Sequence, residues 1–318
     1  MFRLRLVPDK TTIPFMNGRF AGLFVSAFLS IASMVLFFYP GLNYGIDFRG
    51  GIAIEARTEA PADFAQLRQQ LGELGLGQVA LQEFGSPQDV LIRLERQPGD
   101  DAAQQVAADR VRARLAEILP GTQVRRVEAV GASVSGELFT NGMLAMGLAV
   151  VAMLVYIWFR FEWQFGVGAV ATLLLDVTKI IGFYSITGLQ FNLTAIAAIL
   201  TIMGYSVNDK VVVYDRVREN LRLYRKMPLR DLIDLSINET LNRTLGTSVC
   251  TFLSVVPLAL FGGEALQEFG IVLIFGVIIA TTSSIFIAAP ILLFLGENRL
   301  RRGTTEETGG TAPASSSP

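Results

Sequence analysis

Apolar residues dominate six stretches of the chain, 19–40, 138–160, 165–187, 191–214, 244–262 and 268–295. Each approaches or exceeds the roughly 20 residues that a helix needs to cross a hydrocarbon core about 30 Å thick. The pattern therefore predicts six transmembrane helices. Between the first two, the period changes. IAIEAR (52–57) alternates as a strand, and PADFAQLRQQLGEL (61–74) has helical spacing behind a proline. QVALQEF (78–84) and DVLIRLE (89–95) read as two more strands. A helix over 101–119 shows an apolar face at Val106, Val111, Leu115 and Ile118, and TQVRRVEAV (122–130) closes the series as a strand. That order, β-α-β-β-α-β, predicts an α+β ferredoxin-like domain over 41–137, between the first and second spans.

Composition agrees with a membrane protein: 51% of the 318 residues are hydrophobic, 17% are charged, and the mean hydropathy is +0.46. The first apolar run is followed by FFYPGLNYG rather than a small-x-small cleavage site, so it is read as a retained span. The formal net charge of −1 conceals a sorting of basic residues. Arg3, Arg5, Lys10 and Arg19 precede or open the first span, seven basic residues fall in 215–243, and Arg299, Arg301 and Arg302 follow the last span. Segments 188–190 and 263–267 carry none. By the positive-inside rule both termini (1–18 and 296–318) and a loop over 215–243 are cytoplasmic, and 41–137 lies outside.

Apolar Leu221, Leu229, Leu232, Ile233 and Ile237 in that loop predict an amphipathic interfacial helix or a docking face. The tail from Gly303, rich in Thr, Gly, Ser and Pro, is expected to be disordered. Ten basic against fourteen acidic residues in 41–137 make no basic patch, which argues against a nucleic-acid partner. The single cysteine, Cys250, excludes an internal disulfide, and the absence of histidine leaves proton chemistry to carboxylates and excludes a His-based metal site.

Charges inside the spans are the candidates for chemistry. Asp176 lies twelve residues past Gln164, about 18 Å into the third span. Thr172, Asp176 and Lys179 share a helix face, so Asp176 and Lys179 can pair at i, i+3. Such a pair either holds the helix to a neighbour or takes part in function, as intramembrane ionisable residues commonly do. Asp209 lies six residues before Asp215, about 9 Å below the interface expected there, and Lys210 at that depth is expected to snorkel out. Thr194, Thr201, Tyr205 and Asn208 or Asp209 form a polar stripe that should face other helices. Arg243 opens the predicted fifth span either as an interfacial anchor or as a counter-charge for Asp209. In GIDFRGG, residues Gly45, Asp47, Arg49, Gly50 and Gly51 suggest a tight structural joint where the first span enters the external domain. No Walker-type Gly-Lys-Ser/Thr spacing supports a phosphate loop.

Several stretches taken in order, GLNYGIDFRGG (41–51), RFEWQFGVGAV (160–170), GYSVNDKVVVYDRVREN (204–220), SINETLNRT (236–244), FGGEALQEFG (261–270) and SSIFIAAPILL (283–293), resemble the SecF branch of the SecD/SecF family of bacterial protein-export membrane subunits. The resemblance implies an RND-like half-transporter core, a heteromer with SecD, and work on polypeptides emerging from SecYEG, with YajC and YidC as further associates and membrane lipid around it. It implies the bacterial inner membrane, a periplasmic 41–137 domain, and the proton gradient as energy source with no cofactor. By the same resemblance Asp209 and Arg243 take the proton-coupling roles of the fourth-span Asp and fifth-span Arg. Asp176 and Lys179 are then a structural or coupling pair. Many SecF-like sequences carry a histidine before the third-span Asp; Leu175 stands there in this chain, and Lys179 is added. Two other function classes compete: an RND-like half-transporter for lipids or small molecules, and an intramembrane aspartyl protease built on Asp176 and Asp209.

Overall fold

The computed structural model of the protein describes residues 11–60, 62–77, 79–84, 86–99 and 101–295. The first ten residues of the expected N-terminal segment and the expected tail, 296–318, lie outside the described residues.

A 3-10 turn at Phe15–Gly18 leads into α1 (Arg19–Phe38). There follow β1 (Asn43–Tyr44), α2 (Ile46–Arg49), β2 (Gly51–Arg57), α3 (Phe64–Gly72), β3 (Val79–Phe84), β4 (Ser86–Leu94), α4 (Asp101–Ile118) and β5 (Gln123–Val130). The chain continues as α5 (Ala132–Arg160), α6 (Trp163–Thr187), β6 (Gln190–Phe191), α7 (Leu193–Leu223), α8 (Leu229–Phe261) and α9 (Gly263–Ser283). A π turn, Ser284–Ala288, joins α9 to α10 (Ala289–Leu295). Among the described residues six helical segments are long and apolar enough to cross a membrane: Phe15–Phe38, Ser133–Arg160, Trp163–Thr187, Leu193–Leu223, Leu229–Phe261 and Leu266–Phe294.

The chain divides into two compact units. One contains the described residues up to Asn43, Met146–Leu189 and the described residues from Thr194 onward; the other contains Tyr44–Ala145 and Gln190–Leu193. In the membrane unit, α6, α7 and the last span are the inner helices, with 56% of each apolar window buried, against 17%, 11% and 22% for α1, α5 and α8. The outer helices thus leave broad faces for lipid or other protein. Small residues set the closest approaches. A Cβ on Gly182 of α6 would overlap Ser33 of α1, so only glycine lets these two helices pack here. Tyr214 is fully buried between Phe161 and Phe165, and its hydroxyl donates to the Ala288 carbonyl at 2.9 Å, which ties α7 to the π turn.

The expected loop over 215–243 is not a loop. Helix α7 continues to Leu223 and α8 begins at Leu229, leaving five residues between them. Charges that suggested a solvated connection instead pair across helices, Arg216 with Glu239 at 2.7 Å and Arg160 with Asp215 at 2.6 Å, and within α7, Arg216 with Glu219 at 2.6 Å. The apolar positions read as a docking face, Leu221, Leu229, Leu232, Ile233 and Ile237, are buried within the chain. The N-terminal 3-10 turn seals the same end. Asp234 accepts from the Met16 amide at 2.8 Å, and Asn238 exchanges hydrogen bonds with the Ile13 backbone at 3.0 and 2.9 Å.

In the second unit a four-stranded antiparallel sheet has the order β3-β4-β2-β5. With α3 and α4 this is the split β-α-β-β-α-β topology. Its core gathers Ile52, Ile54, Leu67, Leu71, Val90, Ile92, Val111 and Leu115. The buried face of α4 differs from the expected one: Gln104, Ala107, Ala108, Val111 and Leu115 point inward, while Val106 is 52% exposed. The two alanines let α4 lie close to the sheet, and Gln104 is accommodated because its amide donates to the Gln97 carbonyl at 2.7 Å and accepts from the Gln97 amide at 3.0 Å. The domain boundary also moves, because α5 starts at Ala132 and runs without interruption through 137 into the membrane unit.

Asp89 on β4 is the main buried charge of this sheet. It receives Arg57 at 2.9 and 2.8 Å, Ser86 at 2.7 Å, and the Arg125 guanidinium at 3.3 Å. Burial pushes its carboxyl up, but the hydrogen bonds from Arg57 and Ser86 and the two positive charges outweigh this and hold it below its ordinary value. The ionised form therefore stabilises the fold fully above the ordinary value of 3.8, and the contribution is lost as pH falls through the lower folded value. Asp89→Asn is expected to cost about 1 kcal/mol at neutral pH, the arginine charges being partly exposed and screened. It should also flatten the acid limb of stability below roughly pH 4. Amide exchange across β2 and β4 measures both; an unchanged acid limb would contradict the assignment.

Candidate functional site

Three helices of the membrane unit converge on Asp176. It sits on the inner face of α6, and its carboxylate oxygen Oδ2 receives the Lys210 ammonium of α7 at 2.9 Å, the Ser206 hydroxyl at 2.8 Å and the Ser283 hydroxyl of α9 at 2.7 Å. Lys179, one turn along α6, approaches Oδ1 at 3.5 Å. All five residues are buried, and Lys210 and Ser206 are completely so. Ser206 lies one turn before Lys210, so the same hydroxyl that donates to Asp176 also accepts from the Lys210 ammonium. Lys210 comes within 3.4 Å of both the Ser206 carbonyl and the Ser283 hydroxyl.

The expectation that Lys210 snorkels to the interface is corrected. The helix does not end near Asp215: α7 continues to Leu223, thirteen residues beyond Lys210 and about 20 Å along the axis. The ammonium is completely buried and turns inward to the Asp176 carboxylate. The Asp176–Lys179 pair forms as the spacing predicted, with Lys210 as a second and closer cation.

Asp209 is adjacent in sequence but faces another way. Ser284 at the start of the π turn and Thr244 of α8 lie beside its carboxyl, and the Lys210 charge acts on it. Its Oδ2 atom is buried and closes no hydrogen bond, and neither does Thr244 Oγ1. Arg243 does not meet it. Because α8 begins at Leu229, Arg243 lies well inside the helix rather than at its start, and it is exposed while its neighbour Thr244 is buried. The expected Asp209–Arg243 pair is thus absent from this arrangement, and Arg243 makes no ion pair among the described residues.

With both aspartates ionised and both lysines protonated, the cluster of Asp176, Lys179, Lys210 and Asp209 is formally neutral. Removing or adding one proton leaves an uncompensated charge where solvation is poor, which is costly unless the surroundings rearrange. Lys210, Ser206, Ser283, Ser284 and Thr244 were missed as site residues. Two signals for them stood in the sequence: Ser206 and Lys210 at i, i+4 around Asp209, and the adjacent hydroxyls of Ser283-Ser284 within an apolar span.

The GIDFRGG segment is a short helix followed by two glycines with positive φ, at 71° for Gly50 and 116° for Gly51. A Cβ on Gly51 would sit 2.6 Å from the Leu94 carbonyl, so β2 can start beside β4 only with glycine there. Beyond the expected turn, the segment grips residues 190–193. Gly45 N–H donates to the Phe191 carbonyl at 3.0 Å, and Asp47 Oδ2 accepts from the Leu193 amide at 3.0 Å, capping the first residue of α7. Tyr44 and Phe48 pack on Phe139 and Phe191, with the Arg49 guanidinium 5.8 Å from the Tyr44 ring centre.

Residues 110–298 match the family described as protein export membrane protein SecD/SecF, C-terminal, and residues 35–62 match the SecD/SecF GG motif. The chain belongs to the SecD/SecF family. It is 45% identical over 303 residues to the protein translocase subunit SecF of Rickettsia bellii, covering 95% of this chain and 99% of that one. It is 42% identical over 304 residues to the SecF of Cereibacter sphaeroides, covering 94% of each. Among solved structures, SecDF from Thermus thermophilus, a translocon-associated membrane protein, superposes with a TM-score of 0.82 at 33% identity. The match covers 91% of this chain and 39% of the SecDF chain, so the chain spans about two-fifths of that structure. The GG motif of the family falls on the segment that caps α7.

Removing one member of the buried ion cluster should be more harmful than removing a matched pair. Lys210→Met is expected to destabilise the membrane unit by about 3 kcal/mol by leaving Asp176 with Lys179 alone. Asp176→Asn combined with Lys210→Met should recover at least about 1 kcal/mol of the summed losses. Thermal unfolding in detergent of the single and double variants measures this, and strictly additive losses would contradict the geometry.

Proposed function

We propose that the chain is the SecF-type subunit of a Sec protein-export assembly, which together with SecD uses the proton gradient to promote late translocation and release of polypeptides emerging from SecYEG. The observation that carries this is the cluster of two carboxylates and two ammonium groups buried in the spans of a chain whose relatives are translocase subunits. Such groups are expensive at membrane depth and are retained where charge moves. Each proton descending the gradient releases about 2.3 kcal/mol per 100 mV, enough over a few protons to bias a two-state rearrangement. No cofactor is part of this reading.

In this proposal Asp209 is the residue whose proton comes and goes, because its carboxylate lacks the direct ammonium contacts that claim Asp176. Asp176, Lys179 and Lys210 form the charged scaffold that registers the change. The exposed faces of α7 and α8 support a partner. Ala197, Thr201, Gly204 and Asn208 line one, and Asn242, Arg243, Thr247, Cys250 and Ser254 line the other. Small and polar residues at helical spacing suit close packing against another helix better than contact with lipid tails. We assign that seam to SecD, and Arg243 to a charge contact across it or to a later stage of the cycle. The bacterial inner membrane, cytoplasmic termini and a periplasmic second unit complete the proposal, with YajC and YidC as peripheral associates. Geometry does not favour the protease reading, since two ammonium groups claim Asp176, whereas a dyad must share a proton between carboxylates. The family membership argues for polypeptide export over a half-transporter for lipids or small molecules.

The test is gradient-stimulated export in inverted membrane vesicles. Asp209→Asn keeps shape and removes titration, and it should lower the stimulation to the level seen without a gradient while SecD still co-purifies. Arg243→Lys, which keeps the charge and loses the planar fork, should also lose most of it. Undiminished stimulation with Asp209→Asn would remove Asp209 from the mechanism.

A further inference from the structure

The start of the π turn places two adjacent hydroxyls beside two different buried carboxylates. Ser283 Oγ lies 2.7 Å from Asp176 Oδ2 and 3.0 Å from the Ala280 carbonyl oxygen. Ser284 Oγ lies 2.8 Å from the same Ala280 oxygen and also faces the Asp209 carboxyl. The Ser284 backbone N–H donates to Ala280 O as well. Three donors therefore converge on one carbonyl oxygen, which has two lone pairs to offer. Each hydroxyl carries a single hydrogen, so Ser283 serves either Asp176 or Ala280, and Ser284 serves either Ala280 or Asp209.

The distances describe one of the two settings. Ser284 donates to Ala280, Ser283 turns to Asp176, and Asp209 Oδ2 is left buried with no hydrogen bond. An ionised Asp209 in this place would leave Oδ2 a strong acceptor without a donor, whereas a protonated one tolerates it. In the other setting Ser284 turns to the ionised Asp209, one lone pair of Ala280 O is freed while the Ser284 N–H keeps the other, and Ser283 can leave Asp176 for it. The charged groups facing the two carboxylates are Lys179 on α6 and Lys210 on α7, while α8 presents Thr244 and α9 the two serines. A π turn follows immediately, and such turns carry an extra residue that loosens the helical ladder, which is why they recur at functional sites.

We propose that Ser283 and Ser284 are positioning residues that exchange the Ala280 carbonyl between them, so that proton occupancy of Asp209 sets the hydrogen bonding of Asp176. The inference deepens the proton-coupled reading above and rests on Asp209 being the residue that titrates. It gives the two carboxylates, which share no direct contact in this structure, a connection through the backbone of α9.

Infrared difference spectroscopy on the whole chain co-reconstituted with SecD in lipid vesicles, with carbon-13-labelled aspartate, tests it without measuring export. The Asp209 and Asp176 bands are assigned from Asp209→Asn and Asp176→Asn. In the unaltered protein the Asp176 carboxylate band should shift over the same pH interval in which the protonated Asp209 band appears. Ser283→Ala and Ser284→Ala should each remove most of that Asp176 response while Asp209 still titrates, and Ser283→Thr and Ser284→Thr, which keep the hydroxyl, should restore it. In Asp209→Asn the Asp176 band should stay constant with pH. An Asp176 response that persists in both alanine variants, or that is absent from the unaltered protein, would overturn the exchange. A failure of the export reading is seen separately, in the vesicle assay of Asp209→Asn.

Discussion

Charge in a medium without water has to be answered by charge or by hydrogen bonds, and Asp176 is where this chain meets that demand. Its carboxylate draws a helix on each side into register: Lys210 and Ser206 fix the rotation of α7, and Ser283 fixes the end of α9. Apolar packing alone would leave these helices free to slide and turn, because lipid tails compete with side chains on nearly equal terms. The ion cluster thus supplies the specificity of the inner helices. It also makes them sensitive, since one proton more or less alters the balance on which their packing depends.

The second constraint lies at the beginning of α7. Asp47 holds the Leu193 amide, and the glycines behind it let β2 enter the sheet beside β4. Sixteen residues further along the same unbroken helix lies Asp209, about 24 Å away along the axis.

Much of this was legible in the residues, and what was hidden was hidden for physical reasons. Long apolar runs require helices in a bilayer, and alternating short ones require strands, so the six spans and the strand order could be read. Spacing alone put Lys179 next to Asp176. Helix ends were harder. Asp215, Arg216 and Arg218 look like a solvated loop until their partners on other elements are known, and placing the end of α7 too early makes Lys210 look shallow. The same shift put Arg243 at a helix start when it lies inside α8 on the exposed side. In α4 the larger Val106 outweighed Ala107 and Ala108 in the hydrophobic pattern, although close packing on a sheet selects the smaller pair. The serines were illegible because a hydroxyl in an apolar helix ordinarily bonds its own backbone, and only the fold shows which ones face a carboxylate.

Proton movement itself is the most direct measure of what the cluster does. In vesicles that contain this chain with SecD and a pH-sensitive dye in the lumen, an imposed membrane potential should drive a proton flux that falls to the level of empty vesicles when Asp209 is replaced by Asn. Flux that continues undiminished through Asp209→Asn would show that protons cross without that carboxylate, and would contradict the account.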